Sequence, residues 1–375
     1  MRRMSRARQN GSSQMARALV LEAPRKLIAR ELPIPEIGDD DGILRVEACG
    51  LCGTDHEQFT GALPTGSQFV PGHEAVGIIE AIGPKAAKRW GVGLGDRVAV
   101  ECFQRCGECV ECLAGDYRRC VRHGLADMYG LMSVDRDSGL WGGYAEYQYL
   151  APDSMLVPVP PSLDPVLATV FNPLGAGIRW GVTVPGTKPG DVVAVLGPGI
   201  RGLSAAAAAK EAGAAYVMIT GYGPNDAPRL AAAKDFGADL AVDVATDDPS
   251  SALQKGAGRL ADVVVDVTAK APAALAQAIG LARPGGTIVI AGTRGSSETP
   301  GFWPDMIVYK ELRIMGALGV DAPAYKAALD LLASGKYPFA DLPRRIEKLD
   351  GAAELLATMA GEGDGAPPVH GVLVP

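Results

Sequence analysis

Between residues 15 and 100 the apolar positions fall in short runs bounded by Gly, Pro and Asp. Ala18-Leu-Val-Leu-Glu22, Gly42-Ile-Leu-Arg-Val-Glu-Ala48 and Ala75-Val-Gly-Ile-Ile-Glu-Ala-Ile82 are three of them, and Arg97-Val-Ala-Val100 follows the turn Gly95-Asp96. Such runs predict strands joined by turns. Residues 101–123 carry no such period. Gly142–Leu150 resumes the strand pattern, and Pro158 to Pro165 reads as a proline-rich connection. The rhythm changes after Pro173. Asp191–Gly197, Tyr216–Thr220, Asp262–Asp266 and Thr287–Ala291 are continuous apolar runs. Between them lie helical segments at Ile200–Ala212, Arg229–Phe236 and Pro272–Leu281. Strands alternating with helices predict a parallel, doubly wound α/β sheet. From Lys310 the pattern is mixed again, with helices over Ala322–Ser334 and Gly351–Met359 and a strand from Gly371.

A chain of 375 residues exceeds what one core usually supports, so two domains are expected. Residues 1–14 read as a loose tail, because patterned sequence begins near Met15. The net charge of −7 argues against a nucleic-acid surface, which needs a basic face. No apolar run reaches the ~20 residues of a membrane span, and no apolar signal core follows the basic start. Neither nucleic acid nor membrane is therefore expected as a partner. Seven cysteines without a signal peptide point to the cytoplasm, where spaced cysteines bind metal more often than they pair.

All seven cysteines lie between Cys49 and Cys120. Cys106, Cys109, Cys112 and Cys120 form C-x2-C-x2-C-x7-C, a spacing that suits a closed tetrahedral zinc site better than disulfides or free thiols. The acidic neighbours Glu101, Glu108, Glu111 and Asp116 argue against a nucleic-acid-binding zinc module. Cys52, His73 and Glu74 supply one thiolate, one imidazole and one carboxylate. That set suits a zinc ion that keeps a position for substrate. Asp55 is placed to accept from the histidine's other nitrogen, and Thr54 and His56 are candidates to carry a proton toward water. His123 and His370 read as structural, and Cys49 and Cys102 as small core residues.

Gly197-Pro-Gly199-Ile200-Arg-Gly202 fits G-x-G-x-x-G at the end of a strand and the start of a helix, the context in which this motif binds a dinucleotide pyrophosphate. The Asp or Glu that should end the next strand is missing. Gly221-Tyr222-Gly223 stands there, with Arg229 a few residues on. With no carboxylate to repel a 2′-phosphate, and glycines able to form a backbone anion nest, NADP(H) is expected over NAD(H). The alternative is that Asp226 folds back onto the adenosine ribose. Thr268 is expected to line the same site.

These motifs resemble those of the zinc-containing alcohol dehydrogenases of the medium-chain dehydrogenase/reductase superfamily. They are Cys52-Gly-Thr54-Asp55, Gly72-His73-Glu74, Gly95-Asp96-Arg97-Val98, the cysteine loop and the glycine turn. The resemblance spans Met15 to Pro375. It implies a GroES-like, mainly-β catalytic domain from residues 15–170 and 314–375, with a Rossmann domain inserted over residues 171–313. It also implies a catalytic zinc near Cys52, His73 and Glu74, a structural zinc on the cysteine loop, and a homodimer or homotetramer. Two departures stand out. Polyol and secondary-alcohol members usually carry Glu, Asp or Cys where this chain has Asn172, so either Glu74 and water complete the zinc sphere or zinc binds more weakly. Many members place histidine where this chain has Glu57. Glucose-dehydrogenase-like members resemble the Thr54-Asp55-x-Glu57 arrangement, which admits a polyol or sugar substrate. The expected function is NAD(P)-linked, zinc-dependent oxidation of a small alcohol or polyol, or reduction of the matching aldehyde or ketone. The rivals are a zinc-free reductase on the same fold and a non-catalytic zinc- and nucleotide-binding protein.

Overall fold

The computed structural model describes residues 14–295, 297–362 and 367–375; of the expected tail, only Gln14 lies among them. Strands β1 (Met15–Ala23) and β2 (Lys26–Pro33) form an antiparallel hairpin. Next come β3 (Gly42–Gly50), β4 (Ala75–Ile82), β5 (Arg97–Val100), β6 (Tyr147–Leu150) and β7 (Leu156–Pro158). Then β8 (Val192–Leu196), β9 (Tyr216–Gly221), β10 (Leu240–Asp243), β11 (Ala261–Asp266), β12 (Ala282–Ile290) and β13 (Arg313–Gly316) build a six-stranded sheet in the order β10-β9-β8-β11-β12-β13. Every pair in it is parallel. This is the doubly wound dinucleotide-binding order, with its crevice beyond the carboxyl end of β8. Finally β14 (Arg344–Lys348) and β15 (His370–Val374) return to the first region, giving a seven-stranded sheet in the order β14-β15-β3-β4-β5-β7, with β6 paired to β3.

The parallel sheet is apolar along its length because helices cover both faces. Every residue of β8 is buried. The helix Ile200–Glu211 buries Gly202 through Ala209 against it and against the helix Phe171–Ile178. That second contact is close. A Cβ on Gly177 would lie 2.5 Å from the Ser204 backbone carbon, so the small residues of both helices let their backbones approach. In the other sheet Leu44, Val46, Ile79, Val98 and Leu373 join a second core with Phe69, Tyr129 and Tyr144.

The expected strand at Gly142–Leu150 is shorter, beginning at Tyr147. Gly142 lies against the carbonyl of Val70 and Gly143 against Cys49, at spacings no Cβ would allow. Residues 53–60 and 84–90, read as turn and strand, are helices, each closed by a left-handed glycine. No described helix is long and apolar enough to cross a membrane.

Candidate active site and metal centres

The helix Gly53–Thr60 starts at Cys52, and the thiol itself caps it. Thr54 N–H donates to Cys52 Sγ at 3.3 Å, while Asp55 Oδ2 accepts the Cys52 N–H at 2.8 Å. The reciprocal pair fixes the sulfur. The other oxygen of Asp55 faces His73 Nδ1 at 3.3 Å, without closing a well-formed hydrogen bond. His73 and Glu74 lead into β4. Gly72 holds a left-handed φ of 92° there, and a Cβ on it would strike the Tyr144 ring at 2.4 Å. Gly50 leaves space of the same kind for the Glu74 carboxylate.

One ligand atom from each of Cys52, His73 and Glu74 can be chosen so that all lie within 4.8 Å of one another, and all three residues are buried. Glu74 Oε2 has no hydrogen-bond partner, which is costly for a buried carboxylate unless a cation supplies one. Burial pushes the Glu74 carboxyl up to about 8, with the nearby thiolate adding to it. Burial also pushes the Cys52 thiol up, but Arg201 and His73 outweigh it and bring the thiol down to about 6. A soft donor, an imidazole and an orphaned carboxylate around one point fit zinc. Asn172 turns its amide Nδ2 to the Tyr325 hydroxyl, which accepts at 2.9 Å.

The four-cysteine loop is equally compact. Cys106 and Cys112 sulfurs lie 3.8 Å apart, and Cys109 and Cys120 sulfurs 3.9 Å. Sulfurs at ~2.3 Å from a tetrahedral zinc would be about 3.8 Å apart. Cys109 N–H points at Cys106 Sγ and Cys112 N–H at Cys109 Sγ, as suits thiolates. All seven cysteines are free thiols. Cys49 and Cys102 are buried in the core.

A cleft of about 750 Å³ joins the glycine turn to Cys52 and Glu74, while His73 lies behind its wall. All eight expected cofactor residues line it: Gly197, Gly199, Ile200, Gly202, Gly221, Tyr222, Arg229 and Thr268. So do Cys52 and Glu74. Gly197 takes φ of 101°, and Gly202 packs onto its carbonyl. Thr268 is held by Asp266, which accepts its hydroxyl at 2.6 Å and its N–H at 3.0 Å.

The anion nest expected at Gly221–Gly223 is not open. Tyr222 N–H donates to Asp226 at 2.9 Å and Gly223 N–H to Asp243 at 2.8 Å. Two carboxylates already fill the donors that a 2′-phosphate would use. Arg229 pairs with Asp226 at 3.2 Å and also donates to the Pro367 carbonyl. Neither Thr54 nor His56 is part of the cleft wall. His56 Nε2 instead meets Glu362 at 2.7 Å, and Arg25 grips the same carboxylate with two N–H groups.

One wall residue was not anticipated. Arg201, inside the glycine motif, donates to Cys52 Sγ at 2.9 Å and lies over the Trp180 ring. The motif leaves that position unspecified, so the only signal in the sequence was a cation where the helix start meets the cleft.

Comparison with known proteins decides the kinship. Residues 38–161 match the family "Alcohol dehydrogenase GroES-like domain" and residues 202–334 match "Zinc-binding dehydrogenase". A Mycobacterium tuberculosis protein named "Probable alcohol dehydrogenase adh" is 72% identical over 96% of this chain and 99% of its own. This chain belongs to the zinc-containing alcohol dehydrogenase family. Sorbitol dehydrogenase of Bacillus subtilis is 32% identical over 86% of this chain and 87% of its own. A zinc-binding dehydrogenase of Sinorhizobium meliloti, solved with NADP bound, superposes with a TM-score of 0.82. It is 29% identical and covers 96% of this chain and all of its own. The GroES-like unit, the Rossmann sheet and an NAD(P)-linked alcohol dehydrogenase activity using zinc follow from this membership.

Proposed function

We propose that this alcohol dehydrogenase works at the junction of the glycine turn and the Cys52–His73–Glu74 cluster. The observation that carries the reading is that one cleft is lined by the glycine turn and by Cys52 and Glu74 of that cluster. The division is a catalytic unit of residues 15–170 and 314–375 around a cofactor unit of residues 171–313. Bound zinc supplies Lewis-acid polarisation of the substrate oxygen, and bound nicotinamide gives or takes the hydride. Cys52, His73 and Glu74 hold the catalytic zinc, and Cys106, Cys109, Cys112 and Cys120 the structural one. Asp55 orients His73 and, through the Cys52 N–H, the sulfur. Thr54 lies half-buried beside Cys52 but outside the cleft wall, so it takes the alcohol proton only through an intervening water. His56 is engaged by Glu362, so the onward path of that proton does not use a free imidazole. Gly197, Gly199 and Gly202 let the backbone and helix start at Ile200 meet the pyrophosphate, while Gly221, Tyr222, Arg229 and Thr268 flank the adenosine and ribose groups. The expected lean to NADP(H) rests on Arg229 alone, because the backbone donors are filled. The Asp226–Arg229 pair then sets the balance between the two cofactors. A cytoplasmic homodimer or homotetramer acting on a small alcohol, carbonyl compound or polyol completes the reading.

The test is metal analysis coupled to turnover with both cofactors over a panel of alcohols and carbonyl compounds. Two zinc ions per chain, with activity lost on chelation of one, are expected. One zinc per chain with chelator-resistant turnover would favour the zinc-free rival, and cofactor binding without turnover would favour the non-catalytic one.

A further inference from the structure

Arg201 belongs to the dinucleotide turn by sequence and to the reaction centre by geometry. Its guanidinium donates to Cys52 Sγ at 2.9 Å and comes within 3.9 Å of Glu74 Oε1. One face lies over the Trp180 ring, 5.3 Å from its centroid, which holds the group in place. About a third of the side chain, 30%, remains open toward the cleft. Other charged groups of the wall, Asp226, Arg229 and Lys270, come from the strand ends and loops beyond Gly221 and Thr268, on the dinucleotide side. Beside Cys52 the wall is otherwise apolar, with Leu51, Pro173, Met359 and Val369.

Both groups that face Arg201 are proposed zinc ligands. Once a metal shares their charge, the thiolate and the carboxylate become weaker acceptors, and the guanidinium keeps its five donors and its charge with little left to neutralise it. A partly buried cation whose two counter-charges are taken up by the metal is costly. An anionic acceptor arriving with the substrate removes that penalty. The fork of a guanidinium matches a carboxylate with two parallel hydrogen bonds.

We propose that Arg201 is a specificity-determining residue that selects substrates carrying a carboxylate next to the reacting carbon, namely hydroxy acids and the corresponding oxo acids. The inference rests on the proposed function and narrows its substrate class. The reaction keeps its balance: the hydroxy acid loses hydride to NAD(P)+ and a proton to solvent, and yields the oxo acid. Binding energy from the carboxylate also orients the carbon that loses hydride.

The experiment uses the zinc-loaded enzyme saturated with cofactor and two unreactive probes, butyrate and butyramide, titrated calorimetrically. Wild type is expected to bind butyrate at least about tenfold more tightly than butyramide, one charge-assisted pair's worth. Arg201→Leu should abolish that preference and Arg201→Lys retain part of it, with zinc content unchanged. In turnover, kcat/KM for lactate over propane-1,2-diol should fall by a similar factor in Arg201→Leu. Wild type that binds butyramide as well as butyrate would overturn the proposal, even if the leucine variant does not fold. So would a leucine variant whose change is confined to cofactor affinity, which would assign Arg201 to the nicotinamide half. Failure of the function itself looks different: neither lactate nor the diol, nor any other alcohol, is turned over.

Discussion

Gly202→Ala is the sharpest test of how the turn is built. A Cβ at this position would sit 1.8 Å from the Gly197 carbonyl oxygen and 2.9 Å from its carbon. A carbon–oxygen contact relaxes at about 3.3 Å, so helix and turn must part by roughly 1.5 Å. Gly197 cannot yield easily. It holds φ of 101°, and its N–H is tied to the Thr220 carbonyl at 3.0 Å. The helix start must therefore move, taking with it the N–H groups proposed to meet the pyrophosphate. Overpacking of this kind costs ~1–3 kcal/mol of stability. The same energy lost from the bound state weakens the cofactor by roughly 5- to 150-fold. Fluorescence titration with NADH and NADPH, beside thermal melts, reads both effects. Gly199→Ala is the control. Nothing lies within 4 Å of its Cβ, and its φ of −67° suits alanine. It should leave the melt unchanged while weakening the cofactor, because the methyl enters the space the pyrophosphate needs. Wild-type affinity and melting in Gly202→Ala would refute the account.

Three further outcomes follow from the geometry. Asp226→Asn removes the charge that opposes a 2′-phosphate and frees Arg229, and should shift the ratio of kcat/KM values toward NADPH by about tenfold; an unchanged ratio would show that the pair does not set preference. Cys109→Ser should lower zinc by about one ion per chain and open residues near the cysteine loop to limited proteolysis, with dinucleotide affinity preserved; retained stoichiometry would exclude the loop as a zinc site. His370, buried between Thr169 and Arg344, has its pKa brought down to about 3, chiefly by burial and then by Arg344. The folded value lies below the unfolded ~6.5, so its contribution is complete above pH ~6.5 and fades as pH falls toward 3. About 5 kcal/mol is at stake over the full range. Urea midpoints between pH 7 and 4 should fall more steeply in wild type than in His370→Gln, and equal slopes would count against the buried neutral imidazole.

The interior of the Rossmann sheet was readable because strands covered on both faces carry unbroken apolar runs, as in β8 and β11. Its rims were not. Strands β10 and β13 are four residues long, and at the rim of the other sheet β14 sets four charged residues around a single apolar Ile346. Nothing in such segments distinguishes a paired strand from a loop until a neighbour supplies the ladder. The helix Gly53–Thr60 was hidden for another reason. Its cap is a thiol, which does not announce a helix start as Ser or Asp does. At the site, residue types and spacing pointed to Cys52, His73, Glu74 and the four loop cysteines, and the fold brings each set together. What spacing could not carry was direction. Asn172 turned toward Tyr325, His56 toward Glu362, Asp226 onto the Tyr222 N–H and Arg201 toward Cys52. Each of these depends on a partner far away in sequence or on a local backbone turn.

The position of β15 bears on how the chain is made. It lies between β14 and β3, pairing Val372 with Gly50 and Leu373 with Cys49. During synthesis β6 covers Gly42–Arg45 of β3, so only the Cys49–Gly50 end beside Cys52 stays unpaired on that edge while the whole Rossmann unit is translated. At ~10 residues per second that wait is roughly half a minute. A strand end left open that long invites mispairing with other nascent chains. Slowing the ribosome between the Rossmann unit and β15 should therefore lower the yield of native enzyme, without altering the enzyme that does form.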